Sequence, residues 1–178
     1  MGAWVLGGCV LLVAAGLVLI GEDLPKRLVR GDAAPGFVLP LVAGTGPAGS
    51  GDWVDLEALR GRVVLLNFWA TWCEPCEDEM PSMQRLYDRL APRGFELVAV
   101  SVDEDPAAVE AFRERLGLRF PIALDPESEI AKRYQTMGFP ESLLIGPEGD
   151  VIERYVGPRD WDAPVYSERI ARLLPHAG

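Results

Sequence analysis

The sequence predicts an α/β domain: a central mixed sheet flanked by helices, entered through an N-terminal hairpin and preceded by one transmembrane helix. Three observations carry this expectation. Branched and aromatic apolar runs alternate with stretches in which apolar side chains recur at steps of three and four. Asp-Pro pairs stand at two candidate helix starts, a capping residue followed by a proline suited to the first turn. Gly146-Pro147-Glu148-Gly149-Asp150 separates two strand-like runs, as in a hairpin. Strand–helix alternation requires parallel pairing, and the hairpin adds antiparallel strands.

Residues 1–21 carry no charged side chain, and Ala3–Ile20 is almost wholly apolar. Eighteen helical residues span about 27 Å, close to the thickness of a bilayer's hydrocarbon core. We read residues 1–21 as a transmembrane anchor. A cleaved signal peptide is the rival, although its apolar region is usually shorter and follows a basic start. Leu6-Gly7-Gly8-Cys9 is similar to a lipoprotein cleavage box, but no apolar segment precedes it, so Cys9 reads as lipid-facing. Residues 22–34 read as a linker and 35–178 as one domain. Lys26, Arg27 and Arg30 would by charge alone keep that domain in the cytoplasm.

Along the domain, Phe37–Val42 and Trp53-Val54 read as the hairpin strands around a glycine loop at Gly44–Gly51. Asp55 caps a helical turn through Leu59. Val63–Ala70 is a buried strand, and a helix follows through Leu90, with Pro81 kinking rather than ending it. Glu96–Val102 is a second buried strand. Asp105-Pro106 opens a helix whose apolar face is Val109, Phe112 and Leu116. Pro121–Leu124 is a short strand, and Asp125-Pro126 opens a helix through Tyr134. Ser142–Ile145 and Val151–Val156 form the terminal hairpin, and Ala163–Leu174 closes the chain as an amphipathic helix.

The chemistry centres on Cys73-Glu74-Pro75-Cys76, directly after the first buried strand and at the start of a helix. Residues at i and i+3 share a helix face, so the two sulfurs can close a disulfide within one turn. The unpaired N–H groups of a helix start favour a thiolate at Cys73, the species that attacks disulfides. We therefore expect Cys73 to be the nucleophile, exposed at the mouth of the helix, and Cys76 to resolve the mixed disulfide from one turn deeper. A zinc site would need further ligands, and the only other cysteine and histidine are Cys9 and His176. No metal and no cofactor are expected. A structural disulfide closing so short a loop would restrain little chain entropy.

Charge excludes one class of partner. With 17 basic and 27 acidic residues the net charge is −10, which argues against nucleic acid.

These motifs resemble those of a known group. Asn67-Phe68-Trp69-Ala70-Thr71-Trp72-Cys73-Glu74-Pro75-Cys76, then Glu79-Met80-Pro81, then Gly138-Phe139-Pro140-Glu141, are similar to the TlpA, ResA and DsbE group of membrane-anchored thiol-disulfide oxidoreductases. The similarity covers Asp32 to Leu174 and includes the helix-rich insertion from Asp105 to Tyr134. It implies a thioredoxin-like fold with protein disulfides as substrates. One implied client is the heme-binding cysteine pair of an apocytochrome c, and a membrane dithiol is the implied electron donor. It also implies an inner-membrane, single-pass protein with the catalytic domain outside the cytoplasm, where disulfides persist. That placement opposes the charge bias, and we favour it.

The resemblance assigns further residues. Pro140, which statistics alone would make trans, is implied to be a cis-proline beside the disulfide, leaving the Phe139 backbone to pair with an extended client segment. Trp72, Glu74 and Pro75 join them as expected substrate contacts, while Phe68 and Trp69 read as core. Glu79 shares the cysteine face and is implied to influence thiol protonation; a helix-start charge is the alternative. Asn67 stands where thioredoxin has an aspartate and cannot exchange a proton near neutral pH. Glu77 and Asp78 read as a solvated first turn.

The charge of Glu74 opposes the thiolate that the helix start favours, so direction is balanced in the residues alone. A Cys-Glu-Pro-Cys centre resembles the ResA-type reductases, and reduction of client disulfides is the expected direction. The alternatives are a disulfide-forming oxidase on the same fold and a Cu(I) carrier using the two thiols. A peroxidase fits less well, because the related peroxiredoxins place a threonine where this chain has Ala70.

Overall fold

The computed structural model describes residues 27–46 and 51–175. The anchor expected at 1–21, Cys9, the first part of the linker, the tip of the glycine loop and His176 lie outside the described residues. Among the described residues no helix is long and apolar enough to cross a membrane.

A two-stranded antiparallel ribbon comes first, β1 (Val38–Pro40) against β2 (Trp53–Asp55), with Leu39 opposite Val54. The strand expected over Phe37–Val42 shortens to β1, and Leu41 instead bridges to Ala123. Asp55 ends β2 rather than capping a helix, yet its Oδ1 still accepts from the Glu57 N–H at 2.9 Å and secures the 3-10 turn Glu57–Leu59.

The main sheet contains β3 (Val63–Trp69), β4 (Phe95–Ser101), β5 (Ile122–Leu124), β6 (Glu141–Ile145) and β7 (Val151–Val156). Its order is β5-β4-β3-β6-β7, parallel from β3 through β5 and antiparallel from β3 through β7. This is the mixed sheet the alternation predicted. β3 and β4 are buried at every position, which is why their sequences read as continuous apolar runs.

Helix α1 (Glu74–Leu90) follows β3, and Pro81 sits inside it without ending it. Helix α2 (Pro106–Leu116) starts as expected: Asp105 accepts from the Ala107 N–H at 2.9 Å, and Gly117 closes the other end in the left-handed region, φ 64°. The second Asp-Pro start needs correction. The chain first makes a turn, Ser128 N–H to Asp125 carbonyl, and α3 spans only Glu129–Arg133. Asp125 caps it from a distance, its carboxylate accepting from the N–H groups of Glu129, Ile130 and Ala131. The last helix, α4, is Pro164–Ala171, four residues shorter than expected, one at its start and three at its end.

Residues 27–34, expected within the linker, run against the β6–β7 hairpin. Gly31 donates to the Val151 carbonyl, the Val151 N–H to the Asp32 carbonyl, and Ala34 to the Gly149 carbonyl, at 2.8 to 2.9 Å.

Candidate active site

The turn between β3 and α1 is fixed from β4. Asp103 accepts from the Thr71 N–H at 2.9 Å, the Thr71 hydroxyl at 2.6 Å and the Ser101 hydroxyl at 2.7 Å. Cys73 takes the N-cap position of α1 in extended backbone conformation, and its carbonyl accepts from Cys76 and Glu77. The two cysteines form a disulfide, Cα atoms 5.2 Å apart. The expectation of an exposed Cys73 needs correction. In this disulfide form Cys73 is only 6% exposed, against 0% for Cys76, because one side of the bridge faces the core. The order of depth, Cys73 outside Cys76, is as expected.

Glu74 and Pro75 are exposed in the first turn of α1. Trp72 is 70% exposed, whereas Phe68 and Trp69 are fully buried. The Phe139–Pro140 peptide bond is cis, as the resemblance implied. Phe139 lies beside Trp72, so the chain brings the proline loop against the residue preceding Cys73.

Glu79 is not a surface helix-start charge. It is 2% exposed and receives three donors: Asn67 Nδ2 on Oε1 at 2.9 Å, and the Arg159 N–H at 3.1 Å and Trp161 Nε1 at 3.0 Å on Oε2. Burial pushes its carboxyl up to about 7, and these donors together with the Arg159 charge oppose that rise. Asn67 Nδ2 also donates to the Ser142 hydroxyl at 2.9 Å, while Asn67 Oδ1 is buried with no partner among the described residues. Glu79 also borders an open cleft of about 330 Å³ between α1 and the Pro158–Asp160 loop. Glu77 is solvated as expected, and at the surface it also accepts from both terminal nitrogens of Arg115 on α2, at 2.6 and 2.9 Å.

Asp103, Arg159 and Trp161 were missed in the sequence, and Glu141 stood in the motif without a role. Glu141, directly after the cis-proline, is fully buried and pairs with Arg154 and Arg27, and its Oε2 accepts from the Met137 N–H at 3.0 Å. Glu141 directly precedes one arm of the predicted hairpin and Arg154 lies on the other, so their opposite charges were a usable signal. Trp161 gave none, since its partner lies 82 residues away. Among the described residues no three His, Cys, Asp or Glu side chains are grouped as metal ligands.

Residues 30–154 match the AhpC/TSA family. The thiol-disulfide oxidoreductase ResA of Bacillus thuringiensis is 39% identical over 132 residues, covering 74% of this chain and 72% of that one. The fold is similar to that of a thioredoxin-family thiol:disulfide interchange protein from Chlorobium tepidum, with TM-score 0.65 and 29% identity, covering 81% of this chain and 96% of that one. StoA from Bacillus subtilis superposes with TM-score 0.62 at 26% identity, over 79% of this chain and 96% of its own.

Proposed function

The chain belongs to the AhpC/TSA family and is a thioredoxin-like thiol-disulfide oxidoreductase, and from that premise we propose that it reduces disulfides in extracytoplasmic protein clients through Cys73 and Cys76. The observation that carries this reading is the cysteine pair joined across the first turn of α1, with the exposed Trp72 beside the cis-proline loop.

In the forward direction the Cys73 thiolate attacks one sulfur of a client disulfide, forming a mixed disulfide and releasing a client thiolate. Cys76 loses its proton, and its thiolate attacks the Cys73 sulfur. The second client thiolate leaves, and the pair becomes the disulfide. Two electrons pass to the client, and the two protons its thiolates take up match the one Cys73 gave to solvent before attack and the one Cys76 gives up. Glu79, on the cysteine face of α1, is the group we assign to accept and return the Cys76 proton. Glu74 opposes a neighbouring thiolate, and a less stabilised thiolate makes the dithiol a stronger reductant.

Trp72, Glu74, Pro75, Phe139 and Pro140 form the client-contact surface, with the Phe139 backbone as the edge for an extended segment. Residues 1–21 span the inner membrane, 22–34 link, and 35–178 stand on the outer face. A membrane dithiol returns the electrons, and a cysteine-pair disulfide, as in an apocytochrome c, is the client. Equilibration of the full chain with glutathione tests direction. A potential near about −270 mV agrees with a reductase; one near about −120 mV overturns it in favour of the oxidase.

A further inference from the structure

The 157–161 loop takes no direct part in the thiol chemistry, yet it ends on Glu79. Ser82 Oγ accepts from the Trp161 backbone N–H at 3.0 Å and donates to the Glu79 carbonyl at 2.7 Å, pinning the loop to α1. Trp161 itself is fully buried, with its ring 5.2 Å from Tyr155 and 5.5 Å from Tyr166, centroid to centroid. Its indole N–H therefore has one available direction, towards Glu79 Oε2.

The two carboxyl oxygens are unequal. Oε2 holds two N–H donors, whereas Oε1 holds one, from Asn67. Each carboxylate oxygen offers two lone pairs: both on Oε2 are taken, whereas Oε1 keeps one free, so a proton on Oε2 would displace a donor and a proton on Oε1 displaces none. We propose that Trp161 is a positioning residue of the redox reaction: its indole N–H, with the Arg159 N–H, reserves Glu79 Oε2 as acceptor and confines the exchangeable proton to the lone pair of Oε1 that Asn67 leaves free. The inference rests on the reading of Glu79 as the proton acceptor.

The other groups around Glu79 do not duplicate this contact. Asn67 on β3 and Ser142 on β6 are neutral. The Arg159 guanidinium is turned to the Val156, Gly157 and Pro158 carbonyls. Asp78 and Arg85 of α1 and Asp160 of the loop border the same cleft.

The test is infrared difference titration of the protonated Glu79 carboxyl in the full chain in detergent micelles, beside the pH profile of client reduction. Trp161→Phe keeps the stacking and removes the N–H. Its Glu79 inflection is expected to move up by about one pH unit, a tenfold rise in proton affinity for loss of one bond to a carboxylate. Replacing Trp161 by benzothienylalanine, which exchanges the N–H for sulfur in the same shape, must reproduce the shift and serves if the phenylalanine variant does not fold. In the Glu79→Gln background neither substitution should alter the pH profile. An unmoved inflection overturns the inference, as does a profile change that persists without Glu79. A Glu79→Gln variant whose own profile matches the parent overturns the reading of Glu79 instead.

Discussion

Trp72 and Phe139 meet edge to face, ring centroids 5.8 Å apart at 68°, across the gap between the cysteine turn and the cis-proline loop. One ring precedes Cys73 and the other precedes Pro140, so the pair links the two segments assigned to grip a client. Trp72 is too exposed to contribute much to folding. Trp72→Ala should leave unfolding free energy within about 0.5 kcal/mol of the parent. The KM for a peptide disulfide should rise about tenfold, as expected for loss of an exposed aromatic anchor. Parallel denaturant and steady-state measurements check both; a large loss of stability with unchanged KM would contradict it.

The buried Glu79 makes stability depend on pH in a defined direction. Its folded value is raised to about 7 from an ordinary 4.5, so the folded state binds the proton more tightly than the unfolded chain. Stability from this group is full below about pH 4.5 and declines as pH rises to about 7, by on the order of 3 kcal/mol. Glu79→Gln removes the titration. Between pH 4.5 and 7.5 the parent should lose stability relative to the variant by that amount, and parallel curves would contradict the burial argument.

Asp103 carries no proposed chemistry but holds the cysteine turn through Thr71 and Ser101. Asp103→Ala leaves the half-buried Thr71 donors and the buried Ser101 hydroxyl without that acceptor, at a cost of about 2 kcal/mol. Turnover should fall along with stability, because Thr71 lies two residues before Cys73. A stable variant with full turnover would show that the turn holds itself.

Glu141 and its two arginines differ in weight. Burial raises its carboxyl, but Arg154, the Met137 N–H and Arg27 outweigh that and hold it below the usual range. Glu141→Gln leaves the mostly buried Arg154 without its counter-charge and should cost about 3 kcal/mol at pH 7. Arg27 is 45% exposed, and Arg27→Gln should cost under about 1 kcal/mol. The Glu141 contribution is present above the ordinary carboxyl range and lost as pH falls through its lowered value. Urea titrations at pH 7 and pH 3 separate the two variants.

What the sequence revealed and what it hid divide by range. Continuous apolar runs placed β3 and β4 to within a residue, and Asp105-Pro106 placed the start of α2, because burial and capping act locally. The same dipeptide at Asp125 misled, since a turn through Ser128 intervened before the helix. The spacing of Cys73 and Cys76 gave their pairing directly. The grip on Glu79 could not be read, because Asn67, Arg159 and Trp161 converge from strands and loops whose order only the sheet decides. The depth of Cys73 was also hidden, since it depends on what packs behind the bridge.

The central claim is that Cys73 attacks and Cys76 resolves. Cys76→Ser in the full chain, expressed in cells and recovered under acid quench, tests it most directly. Mixed disulfides through Cys73 should accumulate with protein clients, and they should vanish when Cys73 is also replaced by serine. Recovery of no covalent adduct, or of adducts that persist without Cys73, would contradict the account.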